Sequence, residues 1–414
     1  MRTSAVSLSA FLVFVTSHIA LTATSLAAEN NYDWPHYLGP NHNGISRETG
    51  LQFKDLKQLW TRNVNTGFAS VTVVDKRAYT MGNKDDTDIV YCLDVESGES
   101  LWKYAYSCAL QPNMYEGGPN ATPTVHRKKV YTLSKSGHIF CLDAITGKRL
   151  WSHETADDFG ATPHSWGFAG SPTIVGSMVV FNVGESGLAL DKDSGKTIWS
   201  SRGGNAGYAS ALPATLNGKT QICMFTAKRL LGLNPADGKE LWSHRWQNQY
   251  GVNAATPIVF DDLVFISSGY NAGCTLLDLS SGKPQVQWRN KVIQNHFNSS
   301  VKWRGHIYGI DGHTGNRVRL VCVNAATGET AWQQKDYKFG SLILADKTLV
   351  ILSEIGELIT VKTQPDRYYE LSRRQVLNGK CWTVPTLCNA RLYTRNATGN
   401  LICWDVRDVG KAAD

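Results

Sequence analysis

The amino-acid sequence predicts an all-β fold, an eight-bladed β-propeller built from four-stranded antiparallel blades. Three observations support this prediction: a phrase of about ten residues recurs along the chain, its copies lie about one blade length apart, and the last unit lacks its final strand. The composition agrees, because 37 Gly and 13 Trp among 414 residues are expected of a tandem array in which each unit carries one glycine turn and one tryptophan.

The recurring phrase starts with Leu-Asp, continues to Ser or Thr followed by Gly, and ends in a hydrophobic residue and Trp, as in Leu93 to Trp102. The Asp or Asn can accept backbone N–H groups in a tight turn, and Gly provides the positive φ that this turn requires. Two apolar-polar alternating segments precede each phrase, as at 129–133 and 137–142, which indicates antiparallel strands. The turn glycines are Gly98, Gly147, Gly195, Gly238, Gly282 and Gly328, and the blade tryptophans are Trp60, Trp102, Trp151, Trp199, Trp242, Trp288 and Trp332.

The number of blades follows from the spacing of these tryptophans, which averages about 45 residues, the length of a four-stranded blade. Two further units follow Trp332, at 340–376 and 381–406, and the last stops after its third strand. The segment 56–64 carries Trp60 without a preceding turn, so we expect it to supply the missing strand and to close the ring without an open edge. Seven blades is the alternative if 340–376 is only a long excursion.

The N-terminal segment has the pattern of a secretory signal peptide. Arg2 precedes an apolar stretch at 11–21, and small residues follow, so that cleavage after Ala27 or Ala28 fits equally well. Neither cleavage leaves an N-terminal Cys, and no apolar stretch is long enough to span a membrane, so we expect neither a lipid anchor nor a membrane span. The expected location is therefore periplasmic or secreted. The predicted divisions are a signal peptide at 1–28, a leader strapped onto the propeller at 29–55, a single propeller at 56–408 and a tail at 409–414.

Charge and motif content exclude several classes of function. The formal net charge is only +7 and no run of five like charges occurs, so a nucleic-acid partner is not expected. The sequence has no GxSxG nucleophile elbow, no glycine-rich phosphate loop and no Cys/His spacing typical of zinc. No catalytic residue and no metal site are therefore assigned.

The nine cysteines are interpreted mainly as core residues. Cys92, Cys141, Cys322 and Cys403 all stand just before the Leu-Asp position or its equivalent, a slot that a buried free thiol fills as a small hydrophobic group. Cys381 and Cys388 could approach each other across a bend, and their pairing is left open. An odd total leaves at least one thiol unpaired in each monomer.

The repeat phrase resembles the tryptophan-containing motif of the pyrroloquinoline-quinone (PQQ)-type propellers. The opening residues 33–40 with Asn43-Gly44, and the segments 379–382 and 391–393 near the end, also resemble exported bacterial members of that family. The resemblance implies that the Trp of each blade packs against the neighbouring blade. The family includes dehydrogenases that bind PQQ and usually calcium in the central channel, and non-catalytic members such as a scaffold lipoprotein of the outer-membrane barrel-assembly machinery.

The sequence departs from the dehydrogenase branch of this family at two points. Those enzymes often carry two adjacent Cys that form a disulfide against the cofactor, and no two Cys are adjacent here. Glu185 alone lies in a loop that resembles the calcium-ligand loop of the enzymes, and an isolated Glu in a glycine-rich turn is usually only a solvated turn residue. We therefore expect no cofactor, with PQQ and calcium as the alternative.

The candidate site is the mouth of the channel, formed by residues that come immediately before the innermost strands. Aromatic faces and neutral polar groups there suit stacking on a flat or sugar-like ligand or on a peptide of a partner protein. The alternative is that these aromatics only wedge between converging blades. The principal candidates are His164, Trp166, Tyr208, Asn253, His296, Asn298, Lys380 and Trp382, together with Phe68, Asn120, Phe168 and Phe297.

These observations predict an exported propeller that acts by binding, as a scaffold or a ligand receptor, and is not an enzyme. The partner is expected to be a protein or a small polar or aromatic ligand. The alternative function, which rests on the family resemblance alone, is that of a PQQ-dependent alcohol or polyol dehydrogenase.

Overall fold

The computed structural model of the protein describes Met1 and residues 32–201, 203–313 and 317–408. Apart from Met1, the predicted signal peptide lies outside the described residues, as does the predicted C-terminal tail. Within the described ranges the fold is almost entirely β, with one short helix, α1 (Thr155–Phe159), which ends at Gly160. No helix in these ranges is long and apolar enough to cross a membrane.

The strands are grouped in eight blades, of which the first seven each contain four consecutive strands. Strand β1 (Lys57–Asn63) precedes them and belongs to the eighth blade. Blade 1 contains β2 (Thr72–Val74), β3 (Arg77–Lys84), β4 (Thr87–Asp94) and β5 (Ser100–Ser107), and blade 2 contains β6 (Thr124–His126), β7 (Lys129–Leu133), β8 (His138–Asp143) and β9 (Arg149–Glu154). Blade 3 contains β10 (Thr173–Val175), β11 (Met178–Phe181), β12 (Leu188–Asp191) and β13 (Thr197–Ser200), and blade 4 contains β14 (Leu212–Leu216), β15 (Lys219–Phe225), β16 (Arg229–Leu233) and β17 (Glu240–Arg245).

Blade 5 contains β18 (Ile258–Phe260), β19 (Leu263–Ser268), β20 (Gly273–Asp278) and β21 (Gln285–Asn290), and blade 6 contains β22 (Val301–Trp303), β23 (His306–Asp311), β24 (Val318–Asn324) and β25 (Thr330–Tyr337). Blade 7 contains β26 (Gly340–Ala345), β27 (Thr348–Ser353), β28 (Glu357–Lys362) and β29 (Glu370–Gln375). Blade 8 contains β30 (Thr386–Cys388), β31 (Arg391–Arg395) and β32 (Asn400–Asp405) in addition to β1.

The ring closes as the sequence predicts. Strand β1 pairs antiparallel with β32, from Lys57 opposite Asp405 to Asn63 opposite Asn400, and so completes blade 8. The segment 340–375 forms a complete four-stranded blade although its phrase has decayed, so the seven-blade alternative is wrong.

The blade tryptophans contact the turn of the following blade in most of the ring. The indole Nε1 of Trp102 donates to the carbonyl of Ala144 at 3.0 Å, and its ring covers Gly147, where a Cβ would lie 2.7 Å away. Gly147 has a φ of 72°, so the turn requires glycine for its conformation and for the close approach of the ring. The same approach of ring to glycine occurs between Trp60 and Gly98, Trp151 and Gly195, Trp199 and Gly238, and Trp288 and Gly328.

Trp242 is arranged differently from the other blade tryptophans. Its ring folds back over Gly232 of its own blade, where a Cβ would lie 2.2 Å away, and its Nε1 donates to the side chain of Gln221 at 2.7 Å. The phrase of blade 5 carries two extra residues, and its Gly282 has only the Asn217 amide nearby. The indole of Trp242 can therefore pack on the backbone of its own blade because Gly232 has no side chain there.

The two faces of the ring differ in the loops that they carry. Because the four strands of a blade alternate in direction, the first and third turns of every blade lie on one face, here called the turn face. The middle turn of each blade and the loop to the next blade lie on the opposite face, here called the loop face.

The leader crosses the axis on the turn face. Trp34 forms a β-bridge with Val73 of blade 1, and Ile45 forms one with Leu344 of blade 7. Glu48, which is buried, accepts the backbone N–H groups of Asn389 and Ala390 in blade 8. The Pro35 carbonyl accepts the Val125 N–H of blade 2 at 2.8 Å, and Gly44 lies against Val301 of blade 6. Because blades 2 and 6 face each other across the axis, the leader spans one end of the channel.

All nine cysteines are buried and unpaired. Cys92, Cys141, Cys322 and Cys403 have no exposed surface, as expected for a core slot. The pairing of Cys381 with Cys388 that the sequence left open is not formed.

Candidate functional site

A ring of buried hydroxyl groups fixes the segments that lead into the inner strands. The backbone N–H of Ser70 donates to the Thr122 hydroxyl, that of Thr122 to Ser171, and that of Ser171 to Ser210, each at 2.9 Å. Each bond joins one blade to the next and satisfies a buried N–H that no strand partner reaches. The residues just before this ring are therefore held at the mouth of the channel on the loop face.

These residues enclose a cavity of about 480 Å³ at the axis. One wall is a chain of rings in which Phe68 contacts Tyr115 and Trp382 at centroid distances of 5.4 and 5.5 Å. The chain continues from Trp382 to Phe297 at 4.8 Å and from Phe297 to His296 at 4.7 Å. Aromatic rings thus form most of the surface that a ligand would meet.

The opposite wall is formed by Trp166 and Tyr208, whose rings are 6.3 Å apart. Asn120 donates its amide to the Tyr115 hydroxyl at 3.2 Å, which orients both groups at the edge of this wall. Tyr37 of the leader also lines the cavity, so the cavity is bounded by the leader on the side of the turn face. The cavity therefore opens at the loop face and is closed by the leader on the side of the turn face.

Burial keeps several titratable groups of the cavity wall uncharged near pH 7. Burial, with a smaller contribution from His313, lowers the pKa of His296 to about 4, so that its imidazole is uncharged. Burial raises the pKa of Tyr37 and of Tyr208 to about 12, so both phenols keep their protons. No Lys, Arg, Asp or Glu is among the described residues that line the cavity.

Two polar atoms of the cavity wall have no hydrogen-bond partner among the described residues. They are the indole Nε1 of Trp382 and the Nδ1 of His296, and both are buried. The other nitrogen of His296 bonds to the Tyr270 hydroxyl at 2.7 Å. Because both atoms are buried, a ligand in the cavity reaches them only if one of these side chains moves.

Lys380 lies at the rim of the cavity. Its Nζ is 3.0 Å from a carboxylate oxygen of Glu116 and 4.3 Å from the centre of the Trp382 ring. It therefore ties the loop between blades 1 and 2 to the loop that enters blade 8, and it holds the Trp382 ring.

The structure brings most of the predicted mouth residues together. Phe68, Asn120, Trp166, Tyr208, His296, Phe297 and Trp382 all line the cavity. His164 stands beside it, since its carbonyl accepts the Tyr208 hydroxyl at 3.5 Å.

Three predicted residues lie beneath the surface instead. Phe168 packs in the core between blades 2 and 3 and is 2% exposed. Asn253 donates its amide to the Thr226 carbonyl at 2.7 Å, and Asn298 donates its amide to the Ile310 carbonyl at 3.2 Å, with both side chains fully buried. These two amides bind backbone carbonyls of nearby segments and do not face the cavity.

Glu185, the residue considered as an alternative metal ligand, is exposed and forms an ion pair with Arg229 at 3.4 Å.

Sequence reasoning missed several residues of the lining. Tyr37 comes from the leader, and Met114 and Tyr115 come from the long loop between blades 1 and 2. Tyr270 and His313 follow a glycine directly after the second strand of blades 5 and 6. This shared Gly-aromatic position in the repeat was a usable signal, whereas nothing in the local sequence shows where Tyr37 lies.

The lining does not fit PQQ with calcium. Aromatic faces could stack on a planar ring, but PQQ is a tricarboxylate, the described lining has no Lys or Arg, and the Lys380 ammonium at the rim is already paired with Glu116. Calcium prefers carboxylate oxygens, and none is present in the lining. No cluster of three or more His, Cys, Asp or Glu suitable for a metal occurs in the described ranges.

The fold and this site define an eight-bladed propeller with an aromatic cavity at one mouth. The sequence profile of the family of outer membrane protein assembly factor BamB matches residues 86–334, more than half of the chain. The chain belongs to this family of PQQ-type propellers, which confirms the resemblance found in the sequence.

The relatives include outer membrane protein assembly factors and quinoprotein dehydrogenases. The chain is 22% identical to outer membrane protein assembly factor BamB of Yersinia pestis over 84% of its own length and 88% of that protein. It is 27% identical to quinohemoprotein alcohol dehydrogenase ADH-IIG of Pseudomonas putida over 64% of its own length, but it spans only 32% of that enzyme. Among solved structures, BamB from Moraxella catarrhalis superimposes with a TM-score of 0.64 at 17% identity, covering 85% of this chain and 98% of that one, and this likeness concerns the fold alone.

Proposed function

We propose that this protein is an exported, non-catalytic binding propeller that serves as a scaffold in the assembly of proteins at the outer membrane. The observation that carries the proposal is the aromatic cavity at the loop face, whose described lining contains no Lys, Arg, Asp or Glu. Sequence similarity to BamB over 84% of this chain and 88% of that protein supports the assembly role, because the sequence match to the dehydrogenase ADH-IIG spans only 32% of that enzyme.

The cavity favours binding over chemistry. Its rings offer apolar faces on which a flat or aromatic group of a ligand can stack. Burial lowers the pKa of His296 and raises the pKa of Tyr37, Tyr115, Tyr208 and Tyr270, so these five lining groups are uncharged near neutral pH and suit contact with an uncharged part of a ligand.

The mouth of the cavity also offers an exposed apolar contact. Met114 lines the cavity and its side chain is 90% exposed, an unusual position for a large hydrophobic residue. A flexible thioether at a rim adapts to the shape of a partner. A partner segment that entered the cavity would cover this side chain.

Site-specific photo-crosslinking tests the proposal. A photoreactive amino acid replaces Met114 at the cavity, and a matched variant replaces Ile145, which is 45% exposed in a turn of blade 2 on the turn face. In cells that produce the protein, we expect the first variant to crosslink to a component of outer-membrane protein assembly and the second not to do so. Equal crosslinking from both positions would contradict a partner site at the cavity.

A second measurement addresses the dehydrogenase alternative, for which the stacked aromatic walls are the one favourable observation. Purified protein is incubated with PQQ and calcium, its absorbance is recorded, and alcohol oxidation is followed with an electron-accepting dye. We expect no saturable spectrum and no turnover. A saturable spectrum together with turnover would replace the scaffold proposal by the enzyme.

A further inference from the structure

The aromatic cavity does not stand alone on the loop face. A second cavity of about 480 Å³ lies over the outer part of blade 5, and a third of about 810 Å³ lies over blade 6. Tyr270 lines all three cavities, and Asn271 lines the two outer ones. The loop face over blades 5 and 6 therefore contains one branched depression that leads from the axis to the rim.

Tyr270 occupies an unusual position at the junction. Its φ is 53° and that of Asn271 is 65°, a left-handed conformation that a residue with a large side chain rarely adopts. The ring packs against Tyr250 at 4.7 Å and against His296 at 5.0 Å, and its hydroxyl bonds to His296. A tyrosine held in this conformation, at the point where three cavities meet, is typical of a residue retained for binding.

The outer cavities differ from the axial cavity in charge. The cavity over blade 5 is lined by Arg289 and Lys291 and by no carboxylate among the described residues. The cavity over blade 6 is lined by Arg317, Arg319 and Lys335 against Asp311 and Asp336. Asp311 is already paired with Arg319 through two guanidinium nitrogens, so this part of the loop face carries an excess of positive charge.

Several of these cations are available to a ligand. Arg289, Lys291, Arg317 and Lys335 are exposed, and none of them forms an ion pair within the described ranges. The Nζ of Lys291 bonds to the Asn271 side chain at 2.8 Å, which keeps it at the junction with Tyr270. Gln247 and Gln249 add exposed amides, which can both donate to and accept from peptide groups.

From this arrangement we propose that the depression binds an acidic peptide segment of a partner protein that carries an aromatic side chain. The aromatic side chain enters the axial cavity beside Trp382, and the carboxylates of the segment lie over the cations of blades 5 and 6. This inference rests on the proposed scaffold function and names the chemistry of the partner. Complementary charge also accelerates association and favours the correct partner.

Binding of synthetic peptides tests the inference. The probe is a fluorescein-labelled peptide of alternating Asp, Gly and Glu with one central Phe, and its anisotropy is measured with the full protein. Matched peptides carry Ala in place of Phe, or Lys in place of all acidic residues. We expect saturable binding of the first peptide, about tenfold weaker binding of the Ala peptide, and weakening of the first by added salt.

Variants locate the binding site. Lys291→Glu combined with Lys335→Glu should weaken the acidic aromatic peptide about tenfold. The matched control Lys148→Glu reverses an exposed charge on the turn face and should leave binding unchanged. Tyr270→Asn removes the ring but keeps a residue that tolerates positive φ, so it should reduce the advantage of Phe over Ala without unfolding the turn.

The outcomes separate this inference from the scaffold proposal. Equal binding of the Phe and Ala peptides, equal binding of the Lys peptide, or an equal effect of Lys148→Glu would each overturn the inference. If no peptide binds while the Met114 crosslink is formed, the scaffold proposal stands and the assigned partner chemistry is wrong. If PQQ supports turnover, the scaffold proposal itself fails.

Discussion

Replacing Gly147 by Ala tests whether the glycine of the repeat phrase exists to receive a tryptophan from the preceding blade. The added Cβ would lie 2.7 Å from the Trp102 ring, a separation shorter than real Cβ contacts allow. Neither the ring nor the turn can move easily, because Trp102 also bonds to the Ala144 carbonyl at 3.0 Å. The substitution should therefore push two blades apart.

The cost has two parts, and a matched glycine separates them. Gly147 has a φ of 72°, so any side chain costs about 1 kcal/mol for the left-handed conformation alone. Overpacking against the indole adds roughly 1 to 3 kcal/mol. Gly176 has a φ of 59° but no atom within 4 Å of its added Cβ, so Gly176→Ala should show only the first cost.

Equilibrium unfolding in urea measures both variants under identical conditions. We expect Gly147→Ala to lower the free energy of unfolding by about 2 to 4 kcal/mol and Gly176→Ala by about 1 kcal/mol. Equal losses in the two variants would refute the view that the glycine is required by the neighbouring tryptophan.

Four further predictions concern closure, the site, pH and the thiols. Deleting β1 (57–63) should leave the edge of β32 unpaired and lower the melting temperature sharply, and a deletion variant that melts like the parent would contradict closure of the ring by this strand. Trp151→Ala removes a ring packed on the next blade and should lower the free energy of unfolding by about 3 kcal/mol. Trp382→Ala removes a ring that faces a cavity and should lower it by less. The reverse order in urea unfolding would make Trp382 structural. Folding lowers the pKa of His296 from 6.5 to about 4, so between these pH values the unfolded chain binds a proton at His296 that the folded chain does not. The free energy of unfolding should therefore decline as the pH falls from about 6.5 to 4, and it should decline less steeply in His296→Gln. Identical pH profiles of unfolding for the two proteins would be inconsistent with this. Titration of the denatured, unreduced protein with a thiol reagent should find all nine cysteines free, and a count of seven would show one disulfide.

The repeat made much of the fold predictable. Each copy of the phrase encodes a turn and a strand through interactions between residues that are close in sequence, such as Asp143 with the backbone N–H of Thr146. The place of β1 followed from counting, because a final unit with three strands must find its fourth elsewhere. The different setting of Trp242 was not predictable from the phrase, since it depends on Gly232 in the neighbouring strand and on the two-residue insertion in the next blade.

The candidate site was predictable only in part. Phe68, Trp166 and Trp382 could be assigned to the mouth because each comes shortly before the innermost strand of a blade, and the chain approaches the axis in the same way in every blade. The same rule failed for Asn253 and Asn298, since a polar side chain at that position can either face the axis or turn back to bond its own loop.

The sequence by itself therefore determined the repeat unit, the number of blades and the segment that closes the ring, because these depend on local turns and on strand alternation. Tertiary structure alone decided which side chains meet at the axis, how the leader lies across the opposite end of the channel, and where Tyr270 joins three cavities. These features are made by residues up to several hundred positions apart, such as Tyr37 and Trp382, which no local pattern connects. Their contacts arise only when the eight blades close into one ring and bring their first strands together around a common axis.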